Sequence, residues 1–304
     1  GASGDTVNID GSDNANSDSL GKLTVKGGDG VNTITLSKSA NFGDTITAGG
    51  GNDTISVAAG ADLTKADSID GGAGTDPLSF VDDSTITDAQ FTLVTNVENV
   101  VGGTADKHII ATLEGKAAAA GVTGVTFLDG GANDSLTLKA GFTNDMTVTL
   151  DDTGTISTNT VDASAYGGSN LIIKDKVTFI KDDNTTAQST ITGSANLNDI
   201  YEISIDGAGT TVANTGITAF ETYKITDGAA TTDVTATFTL GDGNVGYTNS
   251  STYETVTVDA TAIGASGDTI NINATAEQDG KLIIKGGDGV NTITISASAN
   301  FGDT

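Results

Sequence analysis

Hydrophobic residues run through this chain in short alternating stretches and never in long blocks. Residues 33–36 read TITL, 45–48 TITA, 54–57 TISV and 146–150 MTVTL. A period of two built from β-branched residues predicts strands with one inward and one outward face. Gly, Asn and Asp bound the runs, so short strands alternate with tight turns. Further strands are predicted at 170–174, 201–205, 220–225, 234–240 and 255–258. Two places break the rhythm. Residues 87–101, TDAQFTLVTNVENVV, open as a short helical turn capped by Thr87 or Asp88 and continue as strand. Residues 116–121, KAAAAG, are too short to assign. The expected fold is all-β.

The turns follow a rhythm of their own in residues 41–79. Asp44, Asp53 and Asp62 are spaced nine apart, and Asp67 and Asp76 repeat that spacing. Two residues after Asp44, Asp53 and Asp76 stand Ile46, Ile55 and Leu78. Gly49-Gly50-Gly51 precedes Asp53, and Gly71-Gly72-Ala73-Gly74 precedes Asp76. This is the nonapeptide Gly-Gly-x-Gly-x-Asp-x-aliphatic-x, a β-helix repeat associated with calcium. Glycines at 49, 51, 72 and 74 allow positive-φ turns whose carbonyls converge, and the Asp adds carboxylate oxygens. Calcium takes about six to eight oxygens, more than one turn offers, so stacked turns would share an ion. If two nonapeptides make a coil, turns eighteen residues apart stack, placing Asp44 over Asp62 and Asp53 on the opposite edge. The plainer alternative is that Gly, Asp and Asn make solvated turns and nothing more.

On these motifs the stretch resembles the RTX (repeats-in-toxin) calcium-binding β-roll. The match is strong over residues 48–56 and 71–79. It is weaker at 39–47, which lacks the glycine pair, and at 57–65, where Leu63 directly follows Asp62. Pro77 departs from the pattern, because proline cannot donate to a ladder, and it predicts fraying there. The resemblance implies a parallel β-roll or β-solenoid that holds Ca2+ in its turns, and type I secretion to the cell exterior. Weaker matches extend it. GGDGVNTIT at 27–35 and 286–294 offers Gly28, Asp29, Gly30 and Asp288, with Asn32 and Asn291 replacing the acidic sixth residue. Asp134 closes DGGANDSLT at 129–137. Asp5, Asp268 and Asp303 each sit, like Asp44, in a Gly-Asp-Thr turn. Val97-Glu98-Asn99-Val100 has relatives at 220–223 and 253–256, and such strands also resemble RTX-bearing bacterial S-layer proteins.

The opening of the chain returns at its end. GASGDT at 1–6 recurs at 264–269, and residues 26–45 recur at 285–304 with only Leu36 and Lys38 exchanged, for Ile295 and Ala297. Tandem modules in a longer parent are expected. The divisions expected are a calcium β-roll at 1–80, a solenoid or an inserted β-sandwich at 81–262, and the start of the next copy at 263–304.

Composition narrows the function. Among 304 residues there are 40 acidic and 13 basic, every basic one a lysine, for a net charge of −27. That charge repels nucleic acid, and bound cations would offset it. With no cysteine, neither disulfides nor thiolate metal sites exist. No apolar run approaches the about 20 residues of a membrane helix. One histidine, His108, no Trp and five Tyr leave little for a catalytic triad or a sugar platform, and no enzyme is expected. The reading favoured is an extracellular, calcium-dependent structural repeat of a bacterial S-layer or surface fibre. Its partners would be itself, head to tail or in a lattice, and a cell-surface polysaccharide. The alternatives are a spacer repeat of a large RTX adhesin and the calcium-folded accessory domain of a secreted hydrolase.

Overall fold

The computed structural model describes residues 7–11, 22–38, 42–102, 107–128, 134–152, 159–177, 189–195, 198–205, 210–213, 216–227, 233, 235–241, 247–249, 252–253, 255–264, 267–276 and 281–295. Asp5 and Asp303 lie outside these residues. The chain forms a β-solenoid whose described strands are nearly all parallel, with almost no helix. It divides into two compact units, residues 1–147 with 166–168, and 148–165 with 169–304.

In the first unit, Asn8–Asp10, Thr33–Thr35, Thr54–Val57, Pro77–Phe80, Asn99–Gly102 and Gly124–Leu128 stack in parallel. Between them, Thr24–Lys26, Thr45–Thr47, Ser68–Asp70 and Val94–Thr95 build a second parallel sheet. A third joins Ser84–Thr87, Ile109–Leu113 and Ser135–Leu138. Parallel neighbours separated by a coil put the same strand position in line. Ile34, Ile55, Leu78, Val100 and Val125 are in register, each at most 1% exposed. Each such side chain contributes about 1.5–3 kcal/mol by leaving water, so this aliphatic row is the spine of the unit. The intervening threonines and serines face outward.

Pro77 does not fray the roll. It is the first residue of its strand, where the missing N–H is tolerated, and it pairs in register with Asn99. The helical turn after Thr87 is present as a 3-10 helix, Asp88–Leu93. Gln90 reaches back so that its Oε1 accepts the Thr87 N–H at 2.6 Å. KAAAA belongs to a one-and-a-half-turn α-helix, Gly115–Ala120, which ends on left-handed Gly121 (φ 104°).

The second unit follows the same plan. Leu171–Val177, Ile200–Ile205, Thr222–Asp227, Thr255–Ala262 and Lys281–Lys285 stack in parallel. Opposite runs are Thr160–Asp162, Thr190–Thr192 and Ile217–Thr218, and Thr210–Ala213, Thr235–Thr239, Thr269–Ala274 and Val290–Ile295. The described residues of 81–262 are therefore solenoid and not sandwich; among them only the hairpin Tyr247–Asn249 with Thr252–Tyr253 is antiparallel. Aromatics join the aliphatics inside: Tyr201, Phe220, Tyr223 and Phe238 pack with ring centroids 5.6–6.2 Å apart.

Candidate metal centre

Residues 27–32, 49–53 and 71–76 form the turns that feed three consecutive strands of one sheet, Thr33–Thr35, Thr54–Val57 and Pro77–Phe80. Asn32 faces Asp53 across 21 residues, and Asp53 faces Asp76 across 23. Asp44 and Asp67, also 23 apart, start strands of the other sheet. The coil is therefore longer than two nonapeptides, and Asp44 stacks on Asp67, not on Asp62. The reason is the 3-10 turn Gly60–Asp62, which lengthens one half of the coil. Asp62 closes that turn, its Oδ2 accepting the Ala59 N–H at 3.0 Å.

Each of these carboxylates accepts the strand-start N–H of the preceding coil. Asp53 Oδ1 accepts from Asn32 N and Asp76 Oδ1 from Asp53 N, both at 2.7 Å; Glu98 Oε2 accepts from Asp76 N at 2.8 Å. Asp44 Oδ1 accepts from Leu23 N at 2.8 Å, and Asp67 Oδ1 from Asp44 N at 2.6 Å. Asp134 Oδ1 accepts from Ile109 N at 2.7 Å; the rest of its turn, 129–133, lies outside the described residues. Hydrogen bonds to ionised groups are the strong ones, so the turn acids serve the stacking of the coils whether or not an ion is bound.

The two edges differ in what remains. Asp44 is saturated: Oδ2 accepts from Ser37 N at 2.8 Å, and Oδ1 also from Ser37 Oγ at 2.9 Å. Asp67 Oδ2 likewise takes the N–H and hydroxyl of Thr64. At the glycine-rich edge, by contrast, Asn32 Oδ1, Asp53 Oδ2 and Asp76 Oδ2 are buried with no hydrogen-bond partner. A buried unpaired carboxylate oxygen is costly, and Asp53 Oδ2 and Asp76 Oδ2 stand on successive coils of this edge. Burial is the largest influence on Asp76 and, with repulsion from Asp53, Glu98 and Asp70, pushes its pKa up to about 6 against the pull of the Asp53 N–H. Burial also raises Asp67, opposed by the N–H groups of Asp44 and Thr64.

The glycines let these turns close together. Gly49 and Gly72 have φ of 116° and 99°, and a Cβ at either would lie 2.2 and 1.9 Å from the carbonyl oxygen of Gly28 and Gly49 respectively. Gly51 and Gly74 are also left-handed. Backbone carbonyls are thereby brought coil upon coil, beside carboxylate oxygens that lack partners. That donor set, all oxygen and part anionic, fits a hard divalent cation such as calcium. The residues that would hold it are Asp53, Asp76 and the turn carbonyls. Among the described residues no three acidic or histidine side chains are placed to hold one metal ion between them, so carbonyls would supply most of the shell.

The other predicted residues divide. Gly28 and Gly30 lend carbonyls to the first turn, whereas Asp29 is exposed at its tip. Asp288 is exposed too, and its N–H donates to the Ile263 carbonyl at 3.0 Å. Asn291 repeats the role of Asn32 inside its own turn. Asp268 is buried. Sequence reasoning missed Glu98, Asp199 and Glu221 as site residues. Asp199 N donates to Glu221 Oε2 at 2.8 Å across 22 residues, repeating the Asp76–Glu98 bond and its spacing. In both cases a left-handed residue, Asn96 (φ 53°) or Ala219 (φ 61°), sits two positions before the Glu. The signal was present in the related phrases VENV and FETY. His108 is exposed, and its N–H donates to Asp83 Oδ1. Of the Phe and Tyr side chains described, all but Phe42 are buried. No family model, curated protein or solved structure matches this chain.

Proposed function

We propose that this chain is an extracellular structural repeat whose coils are stiffened by calcium, part of a bacterial S-layer or surface fibre. The observation that carries the reading is the pair Asp53 Oδ2 and Asp76 Oδ2, buried and unpartnered on successive coils of a glycine-rich edge. A divalent cation there would neutralise carboxylates that burial and mutual repulsion hold in an unfavourable state. It would also bridge successive coils through their carbonyls and so stiffen the stack. The return of residues 26–45 at 285–304 supports a parent built of such modules, joined head to tail. The −27 charge suits a calcium-rich exterior, where ions screen and bind.

Calcium titration of the full chain, followed by circular dichroism and thermal melting, tests this. The first unit is expected to melt at higher temperature as calcium rises, because an ion that binds only the folded state stabilises it by mass action. An unchanged melt between excess chelator and millimolar calcium would remove the proposal.

A further inference from the structure

We propose that the Asn32 carboxamide is a built-in plug: its NH2 group fills the oxygen cage of the first glycine-rich turn, so that this turn closes without an ion. Four oxygens surround Asn32 Nδ2, from Gly30 O at 2.6 Å, Asp53 Oδ1 at 2.9 Å, Ala48 O at 3.1 Å and Gly28 O at 3.3 Å. Asn32 is fully buried. Four converging acceptors repel one another unless something positive stands between them. The amide nitrogen supplies two hydrogens and a partial positive charge, shared among the four. A calcium ion would sit at about 2.3–2.6 Å from such oxygens, in the space that nitrogen fills, so plug and ion exclude each other. The orientation of the amide follows from the same acceptors. Turned the other way, Oδ1 would face four oxygens with no hydrogen to offer.

The second copy of the motif makes the same arrangement. Asn291 Nδ2 donates to Gly287 O at 2.8 Å and to Gly289 O at 3.0 Å, and its Oδ1 accepts the Gly287 N–H at 3.1 Å. There the turn is exposed, so the plug forms within a single turn and needs no neighbouring coil to hold it. Asp53 and Asp76 occupy the same position of their own turns and have no hydrogen to give. The residue at this one position thus sorts the turns into two classes, one closed by its own amide and one left for a cation. That second class rests on the calcium reading above; the plug itself does not.

The test uses the full chain and two readouts. In excess chelator, the Asn32 side-chain NH2 protons are expected to exchange about a hundredfold or more slower than those of a free carboxamide, and to stay protected when calcium is added. Asn32→Asp is expected to bind one more calcium equivalent than the parent in calorimetric titration, and to melt lower than the parent in chelator. Rapid exchange of the Asn32 amide in chelator overturns the plug. So does an Asn32→Asp variant with the parent's calcium stoichiometry and melting temperature. If the parent binds no calcium but Asn32 is protected and Asn32→Asp gains a site, the plug stands and the calcium function falls.

Discussion

Asp53 has two roles that different substitutions separate. Its Oδ1 accepts from Asn32 N at 2.7 Å and from Asn32 Nδ2 at 2.9 Å, while its Oδ2 is buried without a partner. Asp53→Ala removes the acceptor and strands a buried N–H, at about 1–3 kcal/mol, and weakens the hold on the Asn32 amide. Asp53→Asn keeps an oxygen for Asn32 N and removes the charge that opposes Asp76. A neutral acceptor is weaker by about 1 kcal/mol than a charged one, and relief of repulsion and desolvation returns a similar amount. In chelator, Asp53→Asn should therefore stay within about 1 kcal/mol of the parent, while Asp53→Ala loses about 2–3 kcal/mol. For a unit of this size that is a fall of about 4–10 °C in melting temperature. In calcium the order changes, because both variants lose the ion-linked gain of the parent. Differential scanning calorimetry with and without calcium reads all six states. If Asp53→Asn fell as far as Asp53→Ala in chelator, the charge itself would be holding the coils, and the reading of a vacant cation ligand would be wrong. A full calcium response in Asp53→Asn would also refute it.

Asp67, Asp76 and Asp199 all have folded pKa values raised chiefly by burial, Asp76 to about 6. The folded state then holds more protons than the unfolded one between about pH 4 and 6, so metal-free stability should fall as pH rises through that window. The Asp76 shift is about 3 kcal/mol at full weight, and screening near the edge of the coil reduces it to about 1–2 kcal/mol. Melting in chelator at pH 4.5 and 7.5 checks the sign, and calcium should narrow the gap at the higher pH. Glu98→Ala and Glu221→Ala should each cost about 1–3 kcal/mol by stranding the N–H of Asp76 or Asp199, and amide exchange at those two residues should accelerate. Unchanged exchange would mean that the glutamates do not close the ladders.

Much of the architecture is legible in residue order because strand period and turn chemistry agree. Ile34, Ile55 and Leu78 each follow two positions after Asn32, Asp53 and Asp76, and they stack in the register this implies. The nine-residue spacing from Asp44 to Asp53 and from Asp67 to Asp76 is also real, as the short half of the coil. The eighteen-residue coil fails because Asp62 shares that spacing by coincidence. Its carboxylate serves a corner turn, and the departure that marks it is Leu63 directly after Asp62, where the repeat sets its aliphatic one residue later. The glutamate acceptors escape notice for another reason: Glu98 looks like an ordinary outward residue at a strand edge until the Asp76 N–H above it is found. Asn32 has a similar lesson. An amide in place of an acid reads as a weakened ligand, and only the four oxygens around its nitrogen give it another role.

The carboxylate ladder also has a direction. From Asn32 to Asp53, Asp53 to Asp76, Asp76 to Glu98, Asp44 to Asp67 and Asp199 to Glu221, the donor is always the earlier coil and the acceptor the later one. A coil that has just wound therefore keeps a strand-start N–H without its partner until the next coil arrives. Winding from the C-terminal side reverses the dependence, since each acceptor is already in place when its donor comes down. The same chain thus presents an unequal path to assembly from its two ends. For these five bonds, a polypeptide that emerges C-terminus first finds each acceptor already placed, whereas one that emerges N-terminus first leaves each donor one coil ahead of its acceptor.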